Sequence, residues 1–130
     1  MSNKKAILCV DDEIIILRSL KELLTHRFNN QYIVEIAESG EEALEIIEML
    51  AERKIDTLLV ISDWLMPEMK GDELLVKIHQ KFPQMAKIML SGHAAPEAIQ
   101  RAYKEAKLNN FIAKPWDEDK LLKEIQAYLN

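Results

Sequence analysis

Short, mostly apolar runs alternate along this chain with stretches whose apolar residues recur at helical spacing. Such runs, bounded by turn residues, indicate strands covered on both faces, and one of them alternates in the way typical of a half-buried strand. The predicted strands are Ala6–Val10, Tyr32–Ala37, Leu58–Ser62, Lys87–Leu90 and Asn110–Ala113. The predicted helices are Ile14–Phe28, Glu41–Leu50, Asp72–Phe82, Pro96–Lys107 and Asp117–Leu129.

The order of these elements is a strand followed by a helix, repeated five times. This order predicts an α/β fold with a parallel sheet and helices on both of its faces. The local signals agree, because Ser39 and Glu42 have the spacing of a capping box at a helix start. Pro96 suits the first turn of a helix, and Pro67 and Pro115 lie just past strands, where they remove no hydrogen bond from the sheet.

Polar side chains lie where four of the predicted strands end. Asp11 and Asp12 follow the first strand, Asp63 follows the third, Ser91 ends the fourth and Lys114 follows the fifth. Since the carboxyl ends of parallel strands meet at one edge of the sheet, these residues should converge there. The sequence therefore predicts a compact acidic cluster with a hydroxyl and an ammonium beside it, suited to a divalent cation and a phosphoryl group.

The carboxylates have a plainer explanation as well. Asp11 or Asp12 could cap the following helix, and Asp63 could be an ordinary loop residue. Two adjacent acids exceed what a cap needs, however, and Mg²⁺ binds one or two carboxylates while keeping several waters. At ~5 Å and an effective dielectric of ~20, each carboxylate pair repels by ~3 kcal/mol. A divalent cation would relieve that repulsion.

The remaining candidates are less specific when each is taken alone. Lys114 is either a solvated lysine at a strand end, an ion-pair partner of Asp63 or Asp12, or an ammonium for phosphoryl oxygens. Ser91 is either a turn residue or a hydroxyl that donates to a phosphoryl group. Phe111 is either plain core or a ring with two positions, and His93 lies at the rim, where it could influence the access of water.

Composition narrows the class of protein. The chain has 130 residues, 48% of them hydrophobic and 30% charged, which suits one globular domain. The net charge of −5 without a basic run argues against a nucleic-acid face. No apolar stretch approaches the ~20 residues of a membrane span, and Met1–Lys5 does not read as a signal sequence. We therefore expect no membrane contact and a cytoplasmic location.

Four segments, each at a predicted strand end, resemble the receiver domain of two-component response regulators, in the manner of chemotaxis regulators. The resemblance covers essentially the whole chain, so residues 1–130 are expected to form a single receiver domain. The segments are Ile7–Glu13, Ser62–Gly71, Met89–His93 and Phe111–Trp116.

The resemblance implies a flavodoxin-like, doubly wound sheet of five strands in the order 2-1-3-4-5 with five helices. It implies that Asp63 accepts a phosphoryl group from a sensor histidine kinase or a phosphotransfer protein. Mg²⁺ or Mn²⁺ would be bound by Asp11, Asp12, Asp63 and the backbone carbonyl of Leu65, with Asp12 and Asp63 as direct ligands.

The same resemblance implies a switch. Lys114 would contact the phosphoryl group, and Ser91 and Phe111 would be the switch hydroxyl and the switch aromatic residue. Together they would reshape the surface formed by the fourth helix, the fifth strand and the fifth helix. The rim residues Leu65 and His93 would tune hydrolysis of the acyl phosphate, since Leu65 could shield the bond and His93 could order a water.

A receiver catalyses only its own phosphorylation and dephosphorylation, and it acts through a downstream effector or an appended output domain. Two other functions stay open at this point. An aspartyl-phosphate-type phosphatase uses similar residues but typically carries a second Asp two residues after its nucleophile, where this chain has Leu65. A phosphorylation-independent adaptor would be expected to lack an acid or the lysine, and this chain has both.

Overall fold

The computed structural model describes residues 4–129, and within them five strands alternate with five helices. Residues 1–3 and 130 lie outside the described residues. They include the two ends of the expected domain and the first three residues of the segment Met1–Lys5. The strands are β1 (Lys5–Val10), β2 (Ile33–Ala37), β3 (Asp56–Ser62), β4 (Ala86–Ser91) and β5 (Asn110–Ala113). The helices are α1 (Ile14–Arg27), α2 (Gly40–Glu52), α3 (Gly71–Lys81), α4 (Pro96–Glu105) and α5 (Glu118–Gln126).

All neighbouring strands are parallel, and their order in the sheet is β2-β1-β3-β4-β5. The predicted doubly wound topology is therefore confirmed. The winding direction reverses at β1, because the chain passes to β2 on one side and then to β3 on the other. In open α/β sheets, ligands bind at the carboxyl ends of the strands near such a switch point.

The sheet separates two hydrophobic cores. Alternate residues of β1 point to opposite faces, so that Ile7 and Cys9 pack with α1 and α5, whereas Leu8 and Val10 pack with α2, α3 and α4. Because both faces are covered, the central strands are apolar in their middle parts, over Ala6–Val10, Leu58–Ile61 and Ile88–Leu90. Cys9 is fully buried, which raises the pKa of its thiol to about 12 and makes it a core residue.

Side chains cap two of the helices that border the sheet edge. At the start of α2 the Ser39 hydroxyl accepts the Glu42 N–H at 3.1 Å, while the Glu42 carboxylate accepts the N–H of Glu38 at 2.6 Å. The capping box thus reaches one residue further back than its spacing predicts. Asp117 caps α5 by accepting the N–H groups of Asp119 and Lys120.

One residue of β4 departs from the apolar pattern. Lys87 is only 1% exposed, and its ammonium donates to the carbonyl oxygen of Met85 at 2.7 Å. Burial lowers the pKa of Lys87 to about 8. A buried lysine with one carbonyl partner costs stability rather than adding to it.

None of the helices in residues 4–129 is long and apolar enough to cross a membrane.

Candidate functional site

Three carboxylates meet where β1 and β3 end. Val10 pairs with Ser62 in the sheet, so Asp11 and Asp63 leave their strands at the same level. The N–H of Asp63 donates to the carbonyl of Val10 at 2.9 Å, which holds the two strand ends together. Asp11 and Asp63 are buried and Asp12 is exposed, yet each offers an oxygen within 4.8 Å of the others.

The ammonium of Lys114 lies against two of these carboxylates. It is 2.7 Å from Asp11 Oδ2 and 3.4 Å from Asp63 Oδ2. The Lys114 N–H donates to the carbonyl of Ser91 at 3.1 Å, which fixes its backbone beside β4, and its bond to Pro115 is cis.

An ion pair of Lys114 with Asp63 or Asp12 was one expectation from the sequence, and the structure has the pair with Asp63, at 3.4 Å. The nearest partner is Asp11, whose side chain is 3% exposed, whereas Asp12 turns toward solvent. The physical reason is that the buried carboxylate loses its water and needs a counter-ion, while the exposed one keeps its hydration.

The electrostatics of this cluster favour cations. Burial raises the pKa of Asp11, and the charge of Asp63 adds to this, against the hydrogen bonds from Lys114 and from the Glu13 N–H. Burial alone would lower the pKa of Lys114, but its hydrogen bond to Asp11 and the charges of both carboxylates outweigh it and raise that pKa. Lys114 therefore stays charged, and three carboxylates face one ammonium.

These residues fit a small divalent cation. Oxygen ligands are those that Mg²⁺ and Mn²⁺ prefer, and three carboxylate oxygens converge within 4.8 Å. One ammonium leaves two of the three negative charges uncompensated, so a doubly charged ion would balance the cluster.

The backbone around Asp63 is fixed on both sides. Its carboxylate accepts the N–H of Trp64 at 2.7 Å, and its carbonyl oxygen accepts the Ser62 hydroxyl at 2.8 Å. Gly71, at the start of α3, donates its N–H to the Trp64 carbonyl at 2.8 Å. A Cβ at Gly71 would lie 2.1 Å from the Asp63 carbonyl oxygen, so only glycine permits this close approach.

The close approach of Gly71 to the backbone of Asp63 was not predicted from the sequence. Gly71 lies within one of the segments that resemble a receiver, but a glycine before a helix reads as ordinary punctuation. Its contact with the backbone of Asp63 cannot be deduced from spacing alone.

Ser91 and His93 lie at the end of the neighbouring strand. Ser62 pairs with Met89, so Ser91 ends β4 two residues past the last β3–β4 pair. Its side chain is 1% exposed, and its hydroxyl accepts the His93 N–H at 3.3 Å. His93 itself is exposed.

Phe111 lies in β5, and Leu65 lies in the loop after β3, two residues past Asp63. Phe111 pairs with Met89 across β4 and β5 and packs half-buried against the core under α4. The Leu65 side chain is 46% exposed. The structure thus brings Asp11, Asp12, Asp63 and Lys114 together, places Ser91 and His93 at the same edge, and keeps Phe111 one layer below.

A cleft of about 520 Å³ opens over Asp63 and Lys114. His93 lines it together with the apolar residues Ile16, Pro115 and Trp116, and Leu65 is not among its lining residues. The Asp63 carboxylate and the Lys114 ammonium therefore border a cleft that also has a histidine and an apolar surface.

Replacing Asp63 with asparagine is expected to stabilise the protein in EDTA. The change removes the repulsion of Asp63 by two carboxylates, ~3 kcal/mol for each at ~5 Å and a dielectric of ~20. It also removes the attraction between Asp63 and Lys114, which is ~5 kcal/mol at the same dielectric. The net gain is about 1 kcal/mol, measured as a higher urea midpoint. An unchanged or lower midpoint for Asp63→Asn would contradict the crowding described above.

Comparison with known proteins identifies relatives over nearly the whole chain. A family model described as the response regulator receiver domain matches residues 7–126. The transcriptional regulatory protein GlrR of Escherichia coli is 38% identical over 131 residues, which is 99% of this chain but 27% of GlrR. A chemotaxis protein CheY homologue of Campylobacter jejuni is 33% identical, covering 95% of this chain and 91% of the homologue.

Solved structures agree with these matches. The signal receiver domain of an HD domain-containing protein from Pseudomonas fluorescens superposes with a TM-score of 0.85 at 33% identity. The match covers 98% of this chain and 95% of that one. The chain thus spans about a quarter of GlrR but nearly all of the CheY homologue and of the solved receiver domain from Pseudomonas fluorescens.

Proposed function

This chain belongs to the response regulator receiver domain family of two-component signalling, and on that premise we propose that Asp63 is its phosphoryl acceptor. The donor would be the phosphohistidine of a sensor histidine kinase or of a phosphotransfer protein. The observation that carries the proposal is a buried carboxylate at an open cleft, with an ammonium at 3.4 Å and two further acids beside it.

The chemistry asks little covalent work of the protein. An oxygen of the Asp63 carboxylate attacks phosphorus, the phosphorus–nitrogen bond to the donor imidazole breaks, and the bonding electron pair leaves with that nitrogen. The nucleophile needs no general base because it is already an anion. The Trp64 N–H holds one carboxylate oxygen at 2.7 Å and so orients the other for attack.

Lys114 supplies the positive charge that the transfer requires. Its ammonium already lies within reach of Asp63, so it can bind an equatorial phosphoryl oxygen without a large movement. Its second partner, Asp11 at 2.7 Å, keeps it in this place before the donor arrives.

Asp11, Asp12 and Asp63, with the backbone carbonyl of Leu65, would hold Mg²⁺ or Mn²⁺ in the proposed site. When bound, such an ion neutralises the carboxylates and the charge of the incoming phosphoryl group. The residues themselves support this assignment through their convergence and their surplus of negative charge.

Phosphorylation would be read through Ser91 and Phe111. A hydroxyl can donate to a new acceptor while it accepts from His93, and a phosphoryl group close to −2 in charge is a strong acceptor. Movement of Ser91 would change the space available to the half-buried Phe111. We propose that the surface of α4, β5 and α5 responds in this way, and that a downstream effector or output domain reads it.

The alternative of an aspartyl-phosphate-type phosphatase has less support. Leu65 stands where those enzymes carry a second Asp, and a side chain that is 46% exposed and apolar can neither donate nor accept a proton. We propose instead that Leu65 and His93 set the lifetime of the phosphorylated state.

The reaction would take place in the cytoplasm, and this domain would bind neither nucleic acid nor membrane.

The test is phosphoryl uptake from acetyl phosphate. Intact-mass spectrometry of the wild-type chain with acetyl phosphate and Mg²⁺ should show one added phosphoryl group, which EDTA should abolish. Asp63→Asn should show none, while its circular dichroism spectrum should match that of wild type. Equal uptake by wild type and Asp63→Asn, or no uptake by wild type, would refute the proposal.

A further inference from the structure

A buried carboxylate outside the acid cluster links the neighbour of Asp63 to α4. Asp72 is 7% exposed and lies in the first turn of α3. Its Oδ1 accepts the indole N–H of Trp64 at 2.9 Å, and its Oδ2 lies 3.4 Å from Nη1 of Arg101, in the middle of α4. These contacts cross from the β3–α3 loop to a different helix.

Trp64 makes contacts through both its backbone and its ring. Its backbone N–H donates to the Asp63 carboxylate at 2.7 Å, and its carbonyl accepts the Gly71 N–H at 2.8 Å. The ammonium of Lys70 lies 5.5 Å from the centre of its ring. Because Trp64 is bound to Asp63 through its backbone and to Asp72 through its indole, a change in the hydrogen bond to Asp63 can alter the contact with Asp72.

A purely local role for Asp72 leaves these contacts unexplained. An acid in the first turn of a helix interacts well with the helix dipole, and that interaction needs neither an indole nor a guanidinium. The side chain of Asp72 is instead 90% buried between two partners from other elements.

We propose that a relay of contacts, Asp63–Trp64–Asp72–Arg101, transmits the phosphorylation state of Asp63 to α4, with Asp72 as a positioning residue that acts through Trp64. The inference rests on the proposed function and describes a route separate from Ser91 and Phe111. Phosphorylation of Asp63 joins one carboxylate oxygen to phosphorus, so that Oδ1, which accepts the Trp64 N–H, changes from a carboxylate oxygen to the neutral carbonyl oxygen of an acyl phosphate. Charge-assisted hydrogen bonds are roughly twice as strong as neutral ones, so the hydrogen bond from the Trp64 N–H to Asp63 weakens on phosphorylation.

Single substitutions can break the contacts of this relay one at a time. Trp64→Phe removes the indole N–H and keeps an aromatic ring, and Asp72→Asn keeps an acceptor for Trp64 but removes the charge that faces Arg101. Glu105→Gln is the matched control, because Glu105 is the other acidic partner of Arg101, at 3.5 Å, and lies outside the proposed route. Arg101→Met changes a residue whose side chain is 44% exposed, which keeps the test open should Asp72→Asn fail to fold.

The measurement is the change of backbone amide chemical shifts in α4 when beryllofluoride and Mg²⁺ are added to the full chain. The ring resonances of Phe111 report the other route in the same spectra. We expect Trp64→Phe, Asp72→Asn and Arg101→Met to reduce the α4 change to about half or less of the wild-type value. The Phe111 change should persist in all three, and Glu105→Gln should match wild type in both readouts.

Phosphoryl uptake from acetyl phosphate separates the two ways in which this experiment can fail. A wild-type chain that takes up no phosphoryl group overturns the proposed function, and the relay with it. A wild-type chain that is labelled, while the α4 changes of the three relay variants equal those of wild type, overturns the relay alone.

Discussion

Lys114→Met is expected to destabilise the metal-free protein by about 3 kcal/mol, because removing one partner of a buried ion pair leaves an uncompensated charge. Asp11 and Asp63 have side chains that are 3% and 8% exposed, and Lys114 is their shared ammonium. Methionine keeps an unbranched apolar side chain and removes the ammonium with its hydrogen bonds to Asp11 and Asp63. The measurement is the free energy of unfolding in urea with EDTA at neutral pH, and Mg²⁺ should recover part of the loss.

The control for this change is Lys5→Met. Lys5 also pairs with one carboxylate, Asp56 at 2.9 Å, but the two side chains are 36% and 74% exposed. An exposed pair contributes about 0–1 kcal/mol, so Lys5→Met should lie near wild type. Equal losses for the two variants would show that Lys114 contributes no more than a surface lysine.

Lys87→Met is expected to stabilise the protein by about 3 kcal/mol near neutral pH, because the folded state lowers the pKa of Lys87 from 10.5 to about 8. Below the folded pKa the lysine is protonated in both states, and the folded state bears the full penalty of a buried charge. As pH rises through the folded pKa, the folded protein releases a proton that the unfolded chain still holds. Stability of the wild type should therefore rise by about 2 kcal/mol between about pH 7 and pH 9.5.

The pH dependence is measured by urea unfolding of wild type and Lys87→Met across this range. The difference between their unfolding free energies should shrink as pH rises, since other groups titrate equally in both proteins. Lys77→Met, an exposed lysine on α3, should change stability by no more than about 0.5 kcal/mol. A constant difference between wild type and Lys87→Met would mean that Lys87 does not change its proton affinity on folding.

The sheet was predictable because its strands are buried on both faces. β1 is apolar over Ala6–Val10 and β3 over Leu58–Ile61, and each is followed by a helix of clear periodicity, which left a parallel α/β sheet as the natural solution. The residues at the site edge followed from the same geometry, since Asp11, Asp63 and Lys114 come directly after strands.

The details that escaped prediction depend on side-chain directions beyond the last paired residue. Sequence spacing did not reveal that Asp11 turns inward and binds Lys114 while Asp12 turns outward. The links from Trp64 to Asp72 and from Asp72 to Arg101 join residues 8 and 29 positions apart on different elements. Lys87 was placed correctly in a strand, but the burial of its ammonium depends on reaching the Met85 carbonyl.

We propose that Asp63, and no other carboxylate of the cluster, receives the phosphoryl group. The most direct measurement is reduction of the acetyl phosphate-treated chain with borohydride, which converts a phosphorylated aspartate into homoserine, followed by tandem mass spectrometry. We expect homoserine at residue 63 and unmodified aspartate at residues 11 and 12. Homoserine at Asp11 or Asp12, or at none of the three, would contradict it.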